Sequence, residues 1–287
     1  MRRTEFSGPV DIEDMQSLAQ RVGPGTGSRQ VGDLAWNWTM YHYRDEQCPT
    51  ATWRDETGTV RAWAWLEPPA DAMAQVDPAF PDLADEVVAW VAGNSPEPPT
   101  VGCADDEPVL REALLRAGFA RLDDTWMNCL ARPLTDLPPV PELPPGFVIR
   151  PVGADSERRA EVHCAAWGST WFTPQRQIEM TTRWPYQSAF DLVVEAPDGA
   201  FVAYCQGWFD PVTGIGQFEP VGTASTHRRQ GFGRAVCIAT LHAFARAGGR
   251  QAVVCARGDD GYPVPRGLYG GMGFSESTRS FNYVLRP

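Results

Sequence analysis

Arg228-Arg229-Gln230-Gly231-Phe232-Gly233-Arg234-Ala235 brings two glycines and three arginines into one short turn. The turn follows an extended segment, Gln217 to Thr226, and opens an apolar run that ends at Gly248-Gly249, the pattern of a strand passing into a helix. A helix start leaves several backbone N–H groups without intrahelical acceptors, and the positive end of the helix dipole adds to them, so such a turn attracts anions. Glycines at 231 and 233 let a bulky pyrophosphate approach the backbone, because no Cβ stands in the way. The amides of Arg229 to Ala235, with the guanidinium groups of Arg228, Arg229 and Arg234 around them, are the candidate phosphate cradle. A solvated basic turn is the plain alternative.

The elements that must position this turn lie on both sides of it. Phe147-Val148-Ile149-Arg150-Pro151 reads as a strand, and Ser156 to Trp167 as a helix with Val162, Ala165 and Ala166 on its apolar side. Leu192 to Glu195, Pro197-Asp198-Gly199 and Phe201 to Trp208 read as strand, turn and strand. Helix 234–247, strand Ala252 to Ala256, a last helix and a closing strand Phe281 to Leu285 complete an order of β, α, β, β, β, α, β, α, β. Pro220 stands inside the strand that leads to the turn. Proline cannot donate to a ladder, so that strand is expected to bulge and part from a neighbour.

With Arg228, Gly231 and Gly233 at the fixed positions, the turn resembles the Arg/Gln-x-x-Gly-x-Gly/Ala pyrophosphate loop of the GNAT acetyltransferase superfamily. Leu268-Tyr269-Gly270-Gly271-Met272-Gly273-Phe274 resembles the Leu-Tyr-x-x-x-Gly-Phe ending of the same superfamily, far enough along for one helix, one strand and a second helix. The resemblance covers about Phe147 to Leu285. It implies acetyl-CoA as acyl donor, no metal, and direct N-acetyl transfer to an amine, the acceptor being a small molecule. Peptide groups at Val221 and Thr223 would pair with pantetheine along the splayed strand. One departure is Gly261, where the family often has an asparagine eight residues before the tyrosine, so the contacts of that asparagine are not expected here.

The transfer needs a base and an acid, because a free alkylamine has a pKa of about 10.4 and a departing thiolate must gain a proton. Glu219, two residues before Val221 and so on the same strand face at period two, is the candidate base; an edge charge or a substrate-positioning group is the alternative. Tyr269 is the candidate acid, since a phenol is protonated at neutral pH and the superfamily places its tyrosine beside the thioester sulfur; a core aromatic is the alternative. Cys205 and Cys255 lie in apolar strand segments, where burial leaves a thiol inert. A non-catalytic acyl-CoA sensor or interaction module that keeps the fold is the competing function. Tyr269 and Glu219 favour catalysis.

Prolines crowd Arg132 to Gly146, which reads as a stiff linker. The expected organisation is a degenerate GNAT-like domain over 1–132, a linker over 133–145 and an acetyltransferase domain over 146–287. The fold class is α/β (α+β): two GNAT-like domains, each a mixed sheet flanked by helices, with the splayed pair in the second. In the first half Met15 to Val22 reads as a helix, and Ala51 to Trp53 with Val60 to Leu66 as a strand pair. Val101-Gly102-Cys103 reads as a later strand. Glu112 to Phe119 echoes the tyrosine motif with Leu115 near the tyrosine's place. Asp77-Pro78-Ala79-Phe80-Pro81-Asp82 stands where the glycine turn should be, and would neither cradle nor attract a pyrophosphate. An unrelated α/β domain is the alternative. Trp36, Trp38, Tyr41, Tyr43, Trp53, Trp63 and Trp65 could line a pocket, but the alternation of Trp63 and Trp65 favours a core face.

Composition narrows the chemistry further. The chain of 287 residues has no lysine, which excludes the Walker loop, pyridoxal Schiff bases and the kinase lysine. A Rossmann turn fails because Val236 follows Gly233 at the third position. The seven cysteines form no Cys-x-x-Cys pair, and His42, His163, His227 and His242 lack metal-ligand spacing, so reduced thiols in cytoplasm are expected and a structural zinc is not. No apolar run approaches a membrane span, and Met1 to Phe6 lacks the apolar stretch of a signal. The net charge of −11 disfavours nucleic acid. Up to Pro145 there are 24 acidic residues against 11 arginines, and beyond it 12 against 14. That split fits an anionic cofactor in the second half and a cationic acceptor drawn by the first, or simply a solubility feature.

Overall fold

Short strands rich in β-branched and aromatic residues alternate with amphipathic helices through residues 1–5, 9–23, 29–41, 48–67 and 69–286, which the computed structural model describes. The elements in order are β1 (Arg2–Glu5), α1 (Pro9–Val22), α2 (Val31–Tyr41), β2 (Thr50–Arg54), β3 (Val60–Glu67), β4 (Asp71–Val76), α3 (Leu83–Asn94), β5 (Thr100–Ala104), α4 (Pro108–Arg116) and β6 (Phe119–Pro133). Then come β7 (Val148–Pro151), α5 (Ser156–Trp167), α6 (Pro174–Thr181), β8 (Asp191–Glu195), β9 (Phe201–Asp210), β10 (Ile215–Thr223), α7 (Phe232–Arg246), β11 (Gln251–Arg257), α8 (Val264–Gly270) and β12 (Ser275–Leu285). Contacts gather these into two units. One is Met1–Leu130 with Cys255–Gly267 and Glu276–Pro287; the other is Ala131–Val254 with Leu268–Ser275.

The first unit builds a mixed sheet in the order β1-β2-β3-β4-β5-β12-β6. Strands β1 to β4 form an antiparallel meander, and β4 meets β5 in parallel at only two rungs, Asp71↔Thr100 and Ala72↔Val101. The closing strand β12, grouped on sequence with the second half, pairs antiparallel with β5 from Ser280↔Ala104 to Val284↔Thr100. Trp38, Trp63 and Trp65 join Met15, Leu18 and Leu34 in one buried cluster, and Trp53 belongs to another with Trp90 and Val87. The indoles thus fill cores. Tyr43 and His42, with the side chain of Tyr41, lie outside the described residues.

The second unit repeats the plan. Strands β7 to β10 form an antiparallel meander, and β10 meets β11 in parallel at Ile215↔Gln251, Gly216↔Ala252 and Gln217↔Val253. Strand β9 is buried at every residue, with α5 on one face and α7 on the other. Helix α5 runs over the range expected and stops at Gly168, whose φ of 64° gives the left-handed C-terminal turn. Thr173 then caps α6, its side chain accepting from the Arg176 amide, with Pro174 in the first turn. Each unit therefore has two helices after its first strand, one helix between its parallel strands, and a short helix after them.

Six elements went unmarked by sequence pattern: β1, α2, β4, α3, β6 and α6. One alignment also needs correction. Tyr269 lies four residues before Gly273-Phe274, and in the first unit the residue four before Gly118-Phe119 is Leu114, not Leu115. Leu114 is fully buried while Leu115 is exposed, and both Gly118 and Gly273 have φ of 87°. Among the described residues no helix is long and apolar enough to cross a membrane.

Candidate functional site

Strand β10 is interrupted where Pro220 stands. Phe218 pairs with Gly207 of β9, but the next rung joins Val221 to Cys205, so Glu219 and Pro220 together face one residue, Gln206. This is a bulge, and its cause is the missing proline N–H. The Glu219–Pro220 peptide is cis. The carbonyl of Glu219, released from the ladder, accepts the indole N–H of fully buried Trp208 at 2.6 Å. Parallel pairing with β11 ends at Gln217, so beyond it the edge of β10 that faced β11 has no strand neighbour. The bulge also breaks the period-two count that put Glu219 and Val221 on one face. Glu219 is half-buried on the bulge, and its charge adds, after burial, to what raises the Tyr204 and Tyr269 phenols.

The glycine turn follows at the end of β10. Arg229 and Gly231 both take positive φ, 65° and 87°, and Gly231 caps α7. The first amide of α7 with a backbone acceptor is that of Ala235, bonded to Gly231 O at 3.0 Å, so the amides of Phe232, Gly233 and Arg234 form the open first turn. A Cβ on Gly233 would lie 2.9 Å from the Thr223 hydroxyl, whereas one on Gly231 would meet nothing. The two glycines thus act differently: Gly231 by backbone conformation, Gly233 by close packing on β10. Phe232 is buried and stacks on Phe147 at 4.8 Å, which anchors the helix start.

The arginines divide their work. The Arg228 guanidinium donates to Ala166 O at 2.6 Å and to Thr223 O at 3.3 Å, bracing the turn against α5 and β10. Arg234 donates to Gly271 O at 2.7 Å and ties the turn to the segment after Tyr269. Arg229 is exposed, and the Gln230 amide donates to Thr226 O at 3.4 Å. Arg228 and Arg234 therefore hold the cradle's shape as well as carrying charge near it.

Tyr269 is 6% exposed and sits edge-on to Phe274. Burial, and then the neighbouring Cys237, Cys205, Glu219 and Tyr204, push its phenol well above the usual value, so it stays protonated. Cys205 is fully buried, and burial drives its thiol up as well, which leaves it inert. The structure thus brings together the turn, the splayed half of β10, Glu219 and Tyr269, all within one unit.

Sequence reasoning missed a polar and aromatic layer between α5, α6 and the sheet. Arg159, at 0% exposure, pairs with Asp191 at 3.1 Å, reaches Gln206 Oε1 at 3.1 Å and lies 3.7 Å over the Tyr204 ring. Asp191 also accepts from Gln177 and Tyr186. Trp167 Nε1 donates to the Tyr204 hydroxyl at 2.8 Å, and that hydroxyl is 2.8 Å from His163 Nδ1. An indole N–H can only donate, so the Tyr204 hydroxyl accepts from Trp167 and shares its second hydrogen bond with His163 Nδ1. Burial, then the Arg159 charge, pull the imidazole down to about 3. A signal was present: Arg159 and His163 fall at i, i+4 beside Val162 and Ala166, on the face that should be apolar.

No protein-family sequence model matches the chain, and neither does any curated protein sequence. Solved structures do match over the whole length. A GCN5-related N-acetyltransferase from Sphaerobacter thermophilus superposes with a TM-score of 0.62 at 19% identity, covering 99% of this chain and 96% of its own. A tandem GNAT protein from the clavulanic acid biosynthesis pathway gives 0.63 at 13% identity, covering 100% and 99%. A GNAT-family acetyltransferase from Colwellia psychrerythraea gives 0.63 at 11% identity, covering 100% of both chains. The fold of this chain is therefore the GNAT fold in its tandem form.

Proposed function

Taking the tandem GNAT fold as premise, we propose that this protein is an acetyl-CoA-dependent N-acetyltransferase whose second unit moves an acetyl group to the amine of a small molecule. The observation that carries the reading is the coincidence of three features on β10: strand pairing that ends at Gln217, a bulge at Glu219-Pro220, and the glycine turn that opens α7. An open strand edge leading to a cluster of unpaired amides suits a ligand with an amide-bearing arm and a pyrophosphate.

The residues present fit that cofactor. The amides of Phe232 to Arg234 and the left-handed backbone at Arg229 and Gly231 would hold the pyrophosphate, and Val221 and Thr223 would meet the pantetheine arm. Acetyl-CoA supplies an activated acyl group when bound. Glu219 accepts a proton from the acceptor ammonium, which at neutral pH lies about three pH units below its own pKa and would otherwise stay protonated. Tyr269, kept protonated by burial, donates its hydroxyl proton to the departing sulfur. The turn and Tyr269 stay in register because Arg234 links the turn to Gly271.

The test is free CoA release from acetyl-CoA with a panel of primary amines, run beside calorimetric acetyl-CoA binding. Binding together with amine-dependent release supports the reading. Binding without release from any amine reduces the protein to an acyl-CoA receptor, and no binding removes the cofactor assignment altogether.

A further inference from the structure

Trp167 ends α5 with its side chain more than half exposed, yet its indole edge is tied down. Its Nε1 donates to Tyr204, whose hydroxyl is held in turn by His163. Five rings meet here, with His163 at ring distances of 6.2 Å from Trp167, 5.3 Å from Trp171, 4.4 Å from Phe172 and 5.8 Å from Tyr204. An exposed indole normally turns among rotamers; one pinned by its N–H and backed by other rings is a flat platform fixed before anything binds.

The platform's address is specific. Tyr204 pairs with Gly222, one rung beyond the Cys205↔Val221 rung that follows the bulge. A Cβ on Gly222 would strike the Tyr204 ring at 2.5 Å and Ala166 at 2.8 Å, so the end of α5 rests directly on the splayed part of β10. Tyr204, which holds the Trp167 indole, lies two residues along β9 from Gln206, the residue opposite the Glu219-Pro220 bulge, about 6.6 Å along the strand.

Charge selects what the platform takes. A bare aromatic face attracts either a flat apolar group or a cation. Here two rings of the cluster already carry guanidinium groups, Arg159 at 3.7 Å over Tyr204 and Arg176 at 5.4 Å from the Trp171 ring. Arg228 bonds to Ala166 O, immediately before Trp167. Arg159 is neutralised by Asp191, so the charge beside the platform is that of Arg176 and Arg228; a second positive charge on the ligand is repelled by these, while an uncharged planar ring is not.

We propose that the acceptor is an arylalkyl monoamine, its ring stacked on Trp167 and its single nitrogen carried by a short spacer to Glu219. This rests on the transferase reading of the same unit and deepens it. Trp167 is a specificity residue and Tyr204 a positioning residue that holds the indole edge.

Phenethylamine, hexylamine and spermidine serve as probes with the full-length protein, by CoA release at saturating acetyl-CoA and by calorimetry on the CoA-loaded protein. Phenethylamine should show the lowest KM of the three. Trp167→Ala should raise that KM about tenfold while moving kcat less than about twofold, and should raise the hexylamine KM by a clearly smaller factor, since an alkyl chain loses buried area but no aromatic pair. Trp167→Phe should recover most of the loss, and Tyr204→Phe, which keeps the ring and cuts the tether, should raise the phenethylamine KM alone by a smaller factor. Equal effects of Trp167→Ala on all three amines, or a lower KM for spermidine than for phenethylamine, overturn the proposal. If acetyl-CoA binds but no amine releases CoA, the transferase reading fails. Calorimetry then decides the platform separately: Trp167-dependent phenethylamine binding upholds it, and its absence ends it.

Discussion

The two strand–turn–helix junctions, β4 to α3 in the first unit and β10 to α7 in the second, start from the same topology and finish with opposite chemistry. Each begins at a parallel pair that stops after two or three rungs. Counted from the first rung of each pair, Ile215 and Asp71, Gln75 takes the place of Glu219, and Trp65 opposite Met73 takes that of Trp208 opposite Gln217. Strand β4 stays in register with β3 to Val76↔Ala62, without a bulge. No carbonyl is released, and the Trp65 indole N–H is buried without a partner, where Trp208 finds Glu219 O. Gln75, 1% exposed, accepts the Trp63 indole N–H on its side-chain oxygen at 3.2 Å. At the turn, the Asp77 carboxylate accepts the Ala79 amide at 3.0 Å and pairs with Arg61 at 3.0 Å. An internal carboxylate thus holds the turn and neutralises Arg61, and the first amides of α3, those of Leu83 and Ala84, are taken by Phe80 O and Pro81 O at 3.1 Å. The parallel pair that stops short is common to both units; a bulge, a left-handed turn and one carboxylate set the second junction apart.

The sharpest way to break this comparison is to give the second turn an ordinary backbone. Gly231→Val places a β-branched residue at φ near 87°, a conformation such residues essentially never adopt, so the open amides must reorient. Losing even two charge-assisted hydrogen bonds at about 1.5–3 kcal/mol each should weaken acetyl-CoA binding by at least a hundredfold. Ala79→Val in the first unit should leave that affinity unchanged. Calorimetric titration of both variants checks the pair, and equal losses would erase the distinction between the junctions. The cause at Gly231 is conformational, since a Cβ there has open space; at Gly233 it is contact with Thr223.

Next in size is Tyr269→Phe. Its counterpart in the first unit is the apolar, buried Leu114, so the variant copies the degenerate state without opening a cavity. Removing the proton donor should cut kcat on the order of a hundredfold, with acetyl-CoA affinity nearly unchanged. Pre-steady-state acetyl transfer separates the two quantities. A full-speed chemical step in the variant would return Tyr269 to the role of core aromatic.

How much of this could be read from residues alone follows from what each element depends on. Turn 228–235 and α5 announce themselves because glycine placement and helical periodicity are local. Pro220 signalled the bulge for the same reason. Strand β4 stayed hidden because Asp71-Ala72-Met73-Ala74-Gln75-Val76 has small residues where strands usually carry β-branched ones, and only its pairing with β3 makes it a strand. The bracing roles of Arg228 and Arg234 were illegible because their acceptors are carbonyls far along the chain, at Ala166 and Gly271. The partner of β12 is likewise a long-range fact, since an apolar closing strand fits several sheet edges until one is offered.

Glu219→Gln installs in the second unit the amide that the first already has at Gln75. At neutral pH the rate should fall about tenfold or more, as expected for losing a general base. The defect should shrink as pH rises toward the amine's own pKa near 10.4, because solvent then supplies the neutral nucleophile. A loss that stays constant with pH would make Glu219 a substrate-positioning group. Rates at several pH values with one amine decide it.

The effect that is smallest near neutral pH concerns stability, and it belongs to the second unit because His163 lies in its α5 layer. The folded imidazole is held neutral, with its pKa lowered to about 3 by burial and the Arg159 charge, whereas in the unfolded chain it titrates at its ordinary value near 6.5. Between those two values the unfolded state binds one more proton than the folded state, so stability rises with pH across that window. Read downward, stability drains away from about pH 6.5 until the folded imidazole itself protonates, with a slope approaching 1.4 kcal/mol per pH unit. His163→Gln can still pair with the Tyr204 hydroxyl through its side-chain amide but cannot titrate. It should remove that slope while changing stability little at pH 8. Hydrogen exchange of α5 and β9 amides against pH, in both proteins, reads the difference. An identical acid slope in the variant would mean that the lost stability comes from carboxylates held below their usual range, such as Asp155 and Glu195 beside Arg150 and Arg158. Their contribution is present above the ordinary carboxylate pKa and disappears only at lower pH, so the window of the slope tells the two origins apart.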